Sequence, residues 1–347
     1  MVTMKEIAKQ AGVSVSTVSL VLNNRDEGRV RDIVANEVRD IASQLGYRSN
    51  PLASSLRTGR THMLGFISED VATTPYAGGM ILGAQRAAQQ LGYMLIVVST
   101  DGPRNEAEEI AALKRYGTDG FLYAKMSNRI VTVPEALKDT PLVLMDATDG
   151  TGETASIEPD EFHIGYDATK RLLAAGCERI AYVGAESPIV AERGRMEGYR
   201  TALAEAGRSV NERLIVHVGN NEPALAAVNE LFDAAQPDGF FCFNDARAWY
   251  VYECAARRGL TIGRDISVVG VDNHRVFADT LVPQLTTVEL PHFEMGYWAA
   301  AKLVSIIEER SLADMDWPDT AAPLPPMNTS TPAAIHCALI EKDSVRK

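Results

Sequence analysis

A set of polar side chains stands where apolar runs end. Asp146 closes "LVLMD", Asn244 and Asp245 close "GFFCFND", Asp272 closes "ISVVGVD", and Arg195 follows another such run within "RGRMEGY". Carboxylates accept hydrogen bonds from hydroxyls, while arginine and asparagine donate them, so the set is suited to hold a sugar or related polyol from two directions. Taken singly, each Asp or Asn suits the cap of a following helix equally well. Catalytic arrangements are missing. There is no G-x-S-x-G elbow, no G-x-x-x-x-G-K-[ST] loop and no G-x-G-x-x-G after the first strand, and the six histidines show no H-E-x-x-H spacing. The sequence therefore reads as a binder, not an enzyme, and implies no cofactor.

A second chemistry lies at the head of the chain. Residues 1–60 hold nine Lys or Arg against six acids, so this part carries +3 and the remainder −15 of a total of −12. Two functions in separate domains follow: a basic part for a polyanion, and an acidic body that a polyanion would repel. In "VTMKEIAKQAGVSVSTVSLVLN", Met4, Ile7, Ala8 and Ala11 repeat at helical spacing until Gly12, which suits a helix end. Ser14 is a natural N-cap for a second helix that buries Val18, Val21 and Leu22 and turns Ser16, Ser19 and Leu20 the other way. A third helix buries Val34, Val38, Ile41, Ala42 and Leu45. Two helices crossing through a tight turn on such a core make a helix-turn-helix.

"SNPLASSLRTGRT" follows. Asn50 can cap, Pro51 fits a first turn, and Leu52, Ala53 and Leu56 share a face. About two turns of helix are marginal alone, so this segment is expected to order only against another surface. Its apolar face, flanked by Arg57 and Arg60, suits insertion into a DNA minor groove with leucine as the wedge; a flexible linker is the other reading.

These stretches together resemble the DNA-binding head and hinge helix of the LacI/GalR family of bacterial transcription repressors, and the likeness continues through the body. The resemblance implies that Val15, Ser16 and Leu20 face base edges, that Thr3, Ser14, Thr17, Ser19, Asn23 and Tyr47 touch or support contacts to phosphates, and that Leu56 wedges at the operator centre, with Asn50 and Ala53 beside it. Leu20 departs from the arginine often found there, which replaces a two-pronged grip on guanine by apolar contact. Ser49 stands where proline is frequent.

From residue 63, short apolar runs alternate with helical patterns. "MLGFIS", "YMLIVVST", "GFLYAK" and "LVLMD" read as buried strands with helices near 77–91, 104–116 and 134–138. "RIAYVGA", "RLIVHVG", "GFFCFND" and "ISVVGVD" repeat the theme with helices near 192–206, 222–235 and 246–258. The expected fold is α/β: two lobes of doubly wound parallel sheet, similar to periplasmic binding proteins, preceded by a small all-α helix-turn-helix domain. The expected bounds are 1–48 for the DNA-binding domain, 49–61 for the hinge and 62–347 for the two-lobed domain. Its first lobe spans about 62–160 plus 291–320, and its second about 161–288 plus a final strand, "AIHCALI".

The resemblance places the effector contacts at Asp146, Arg195, Asn244 and Asp272, with Tyr76 as an aromatic lining. Leu290 stands where a glutamine is common, which puts one familiar sugar contact in doubt. The partners implied are an operator duplex, a small-molecule effector and a second copy of the chain. The tail shows no leucine heptad, so a homodimer is expected. Cys177, Cys242, Cys254 and Cys337 lack ligand or disulfide spacing. No run approaches the roughly 18 apolar residues of a membrane span, and Lys5, Glu6 and Lys9 interrupt any signal-peptide core, so a cytoplasmic protein is expected. A solute-binding protein of the same fold, or an activator, are the alternatives to a repressor.

Overall fold

The computed structural model describes residues 2–22, 25–47, 59–69, 74, 78–312 and 315–347. Asn23, Asn50, Ala53, Leu56 and Tyr76 lie outside the described residues. The chain divides into two compact units, Met1–Thr61 and His62–Lys347.

The first unit holds α1 (Met4–Gln10), α2 (Val15–Leu22) and α3 (Asp32–Gln44). Thr3 opens α1 with a capping box: its hydroxyl accepts from the Glu6 N–H, and its own N–H donates to Glu6 Oε2 at 2.7 Å. Gly12 takes φ +63, and Ser14 Oγ then accepts from the Thr17 N–H at 3.0 Å to start α2. Ile7, Ala8, Val18, Val21, Ala35, Val38 and Ala42 form the core. Ala35 takes the central place expected for Val34, which sits only half-buried. A smaller side chain there lets α3 settle closer to its neighbours. Arg39 grips Asp26 with two bonds of 2.9 and 2.7 Å and so ties the α2–α3 loop to α3.

The second unit contains two six-stranded sheets. The first runs β11-β5-β4-β3-β1-β2 and the second β12-β10-β9-β8-β6-β7. In chain order, β1 (Met63–Glu69), α4 (Gly78–Gln90), β2 (Met94–Thr100), α5 (Pro103–Arg115), β3 (Gly120–Ile130), β4 (Leu142–Thr148) and β5 (Ser156–Pro159) build most of the first lobe. The second comprises α6 (Glu161–Ala174), β6 (Ile180–Ala185), α7 (Val190–Glu205), β7 (Ile215–Val218), α8 (Asn221–Ala235), β8 (Gly239–Cys242), α9 (Asp245–Arg257), β9 (Ser267–Val271), α10 (Arg275–Ala278) and β10 (Thr286–Val288). Then α11 (His292–Glu308) and β11 (Ala333–Ile335) return to the first lobe, and β12 (Leu339–Ile340) closes the second. Among the described residues, all strand pairs are parallel except β10–β12.

Three differences from expectation matter. "AIHCALI" is two strands, not one: β11 pairs with β5 and β12 with β10, so the chain crosses between lobes at 336–338 as well as after β5 and β10. The helix expected near 134–138 is a single 3₁₀ turn, Glu135–Leu137, too short for an α-helix after Pro134. Helix α6 is additional, although Ile164, Ala168 and Leu172 at its buried face carry helical spacing. The proline-rich segment after α11 is a strap: Trp298 Nε1 donates to the Pro325 carbonyl at 2.8 Å, Lys302 Nζ to that of Met327 at 2.7 Å, and Gln90 Nε2 to that of Asp316 at 2.8 Å.

Each sheet buries side chains on both faces, Phe66 and Leu122 against Phe121 and Leu144 in the first lobe, Phe240 and Val268 against Tyr182 and Phe241 in the second. The crossing that positions the site is that of α6 with α7. A Cβ on Gly198 would lie 2.1 Å from the Phe162 carbonyl oxygen, and one on Gly165 2.0 Å from that of Arg195. Only glycine at both places lets the two backbones meet. Gly198→Ala should push the helices apart and lower stability by about 1–3 kcal/mol, as overpacked cores do; chemical denaturation with an unchanged midpoint would show the crossing to be slack.

Candidate ligand cleft and nucleic-acid face

Because α6 and α7 touch, Glu161 at the start of one meets Arg195 in the second turn of the other. Arg195 Nε donates to Glu161 Oε2 at 2.7 Å, Nη1 donates to the Phe243 carbonyl, and the guanidinium lies 4.3 Å over the Phe243 ring. Both partners are more than nine-tenths buried. Phe243 follows β8, beside β6, where the strand order of the second sheet reverses. Ligands of open α/β sheets bind outside such switch points. Helix α7 also packs against β3 of the other lobe, so Arg195 belongs to an element shared by both.

Carboxylates crowd around this cation. Asp146 is buried and accepts from the N–H groups of Ser127 (2.7 Å) and Asn128 (2.8 Å). Burial, then the charge of Glu161, pushes its carboxyl up to about 7, against the pull of these N–H groups and Arg195. Asp245 accepts from the Thr287 hydroxyl and the His274 N–H, both at 2.7 Å, and burial pushes it up to about 7 as well. Asp272 is raised well above the usual range by burial and by Asp245. Asn244 caps α9, its Oδ1 accepting from the Arg247 N–H and Nη1 at 3.1 Å each. The backbone is left-handed at Ser127, Asn128 and Asp146 in one lobe and at Asp272 and Asn273 in the other. Such strain at non-glycine positions gathers at ligand sites.

A cavity of about 580 Å³ opens between the lobes where β10 passes into α11. Its walls are Gly79, the 272–276 and 289–294 stretches, strap residues 319–322 and Ala338. Of the residues expected from sequence, Asp272 and Leu290 line it. Asp146, Arg195 and Asn244 do not: Asp146 and Asn244 are engaged by backbone groups, and Arg195 by Glu161. The sequence reading missed Glu161, His292 and Glu294. The last two sit in "ELPHFEMG", where a strand gives way to a helix, so the strand-end rule that found Asp272 would have found them. Burial, followed by the charge of Arg195, lowers His292 to about 4.

In the head unit, Val15 and Ser16 are exposed on α2, while Thr17, Ser19 and Leu20 are half-buried. Ser14 Oγ lies 2.7 Å from Ser16 Oγ and 2.8 Å from Thr17 Oγ1, so the hydroxyls cluster at the amino end of α2, where a helix favours anions. Thr3 caps α1, and Tyr47 packs half-buried on the core.

Residues 3–50 match the family model described as bacterial regulatory proteins, lacI family, and residues 61–323 match that of periplasmic binding proteins and sugar binding domain of LacI family. The chain belongs to the LacI family. It is 30% identical over 309 residues to the HTH-type transcriptional regulator DegA of Bacillus subtilis, covering 85% of this chain and 88% of that one. It is 28% identical over 312 residues to the sucrose operon repressor of Escherichia coli, covering 88% and 94%. A solved LacI-family transcriptional regulator from Rhizobium etli superposes with TM-score 0.71 at 28% identity, over 83% of this chain and all of that one. These LacI-family relatives are regulators of transcription, not enzymes.

The raised carboxyls fix a pH dependence. A carboxyl that titrates near 7 when folded and near 3.8 when unfolded binds more protons in the folded state between those values, so stability is lost as pH rises through about 7. Asp245→Asn can set its amide oxygen where Asp245 Oδ2 accepts from the His274 N–H, with its amide nitrogen toward the Thr287 hydroxyl, which can turn to accept. The variant should therefore show a flatter melting temperature between about pH 5.5 and 7.5 and exceed wild type at the upper end. Parallel curves for the two proteins would refute this role.

Proposed function

We propose that this LacI-family chain is a ligand-controlled repressor that binds a near-palindromic operator as a homodimer. The observation that carries the reading is the joint presence, in one chain, of a helix-turn-helix offering Val15 and Ser16 to solvent and a cavity bounded by two lobes. Residues 1–48 read DNA, 49–61 form the hinge, and 62–347 bind the effector and the second copy. Val15, Ser16 and Leu20 meet base edges. Thr3, Ser14, Thr17, Ser19, Asn23 and Tyr47 serve phosphates, and Asn50, Ala53 and Leu56 serve the minor groove. The +3 head supplies salt-sensitive affinity, and the −15 body limits random binding. Working on DNA places the protein in the cytoplasm.

The effector is a sugar or related polyol, a class supported by the sucrose operon repressor among the relatives. Asp272 touches it directly, Tyr76 lines the cleft, and Asp146, Arg195 and Asn244 complete the site when the lobes rearrange. For dimerisation, Leu82 on α4 and Met94 and Val97 on the edge strand β2 are exposed, as are Trp249, Val276 and Val282 in the second lobe. Apolar edge strands are ordinarily covered. A ligand that prefers one arrangement of the lobes shifts their balance, and DNA must alter ligand affinity by the same factor, with couplings of about 1–3 kcal/mol.

Selection of bound duplexes from a randomised pool by the purified chain should yield one near-palindromic site. Leu20→Arg should change base preference at one symmetric pair of positions, toward guanine. A pool without enrichment would sink the regulator reading, and an unchanged profile for Leu20→Arg would remove Leu20 from base recognition.

A further inference from the structure

The cavity is ringed by carboxylates. Asp272, Glu289, Glu294 and Asp319 line it against one arginine, the exposed Arg275, among the described residues. His292 is held neutral at physiological pH, and Arg195, behind the wall, already neutralises Glu161. Glu289 Oε1 accepts from Asn273 Nδ2 at 3.0 Å. Glu294 is different. It is more than nine-tenths buried, its Oε1 accepts only from the Ala322 N–H at 3.5 Å, and among the described residues its Oε2 has neither hydrogen bond nor ion pair.

A carboxylate packed on most sides, with one oxygen left open and no salt bridge among the described residues, has room for a positively charged partner, and the amino end of α11 supplies only part of that compensation. Hydroxyls of a neutral polyol would satisfy the lone pairs but leave the negative charges facing one another. A protonated amine brings three donors and the missing charge. Asp272 belongs to the second lobe and Glu294 to the first; a cation between them pairs with the Glu294 carboxylate and favours ionisation of Asp272, which burial and Asp245 otherwise oppose. We propose that the ligand of this cavity carries a protonated amine, as an amino sugar does, and that Glu294 is the residue that selects it. This rests on the cavity being the effector site, and it narrows the polyol class given above.

The test is a thermal-shift measurement on the full chain at about pH 6.5, where such amines are protonated. The probes are matched pairs: D-glucosamine with D-glucose, and D-galactosamine with D-galactose. An amine should raise the melting temperature by several degrees more than its neutral partner, and Glu294→Gln, which keeps the shape and the Ala322 contact, should erase the difference. Without ligand, Glu294→Gln should melt at the wild-type temperature or above. A fall of more than about 4 °C would show that the carboxylate serves the helix end, and would overturn the proposal. A neutral sugar that shifts wild type as much as its amine would overturn it too, while leaving the ligand cavity standing. Shifts that persist in Asp272→Asn would place the ligand elsewhere, and both readings would fall.

Discussion

The buried pair between Arg195 and Glu161 is the constraint from which the organisation of the cleft follows. Neither charge could stand alone at that depth, since an unpaired buried ion costs several kcal/mol. Their meeting requires α6 and α7 to cross at backbone distance, which requires glycine at 165 and 198. The same guanidinium donates to the Phe243 carbonyl, so it also fixes the turn that leads from β8 to the Asn244 cap of α9. One side chain thus ties two helices and a strand end of the second lobe, on a helix that touches the first.

Around Arg195 the chain gathers several buried carboxyls, on which Arg247 and Lys342 also act. Asp146, Asp245 and Asp272 all feel Arg195, yet burial raises each of them, with the charge of Glu161 adding to it at Asp146 and those of Asp245 and Glu161 at Asp272. Most of these oxygens are occupied by backbone N–H groups or hydroxyls, which holds strand ends in left-handed conformations without supplying charge. Of the three, Asp272 also lines the cavity. A fold stabilised for its own sake would replace such groups by apolar ones; buried titratable groups of this kind cluster at sites where proteins act on other molecules.

Much of this was legible in the sequence. The helix-turn-helix followed from Gly12, Ser14 and the spacing of Val18 and Val21, because caps and apolar period are local signals. The two sheets followed from apolar runs, and Asp272 from its place at a strand end. Whether a strand-end Asp or Asn turns to a ligand or to its own backbone was not legible. Asp146 bonds to Ser127 and Asn128, 18 to 19 residues away, and Asn244 caps its own helix, distinctions that depend on register between strands and on helix entry. Glu161 escaped because its partner lies 34 residues on and meets it only through the glycine crossing. The final run was misread as one strand because its apolar pattern does not record that 336–338 pass from one lobe to the other.

The most direct measurement is a double-mutant cycle by chemical denaturation on Glu161→Gln, Arg195→Met and the double variant. Removing one partner strands a buried charge, so each single change should cost about 3–5 kcal/mol. The double variant should lose at least about 2 kcal/mol less than the sum of the two. Additive losses would contradict the account, because they would mean that Arg195 and Glu161 serve the cleft separately and that no single interaction organises it.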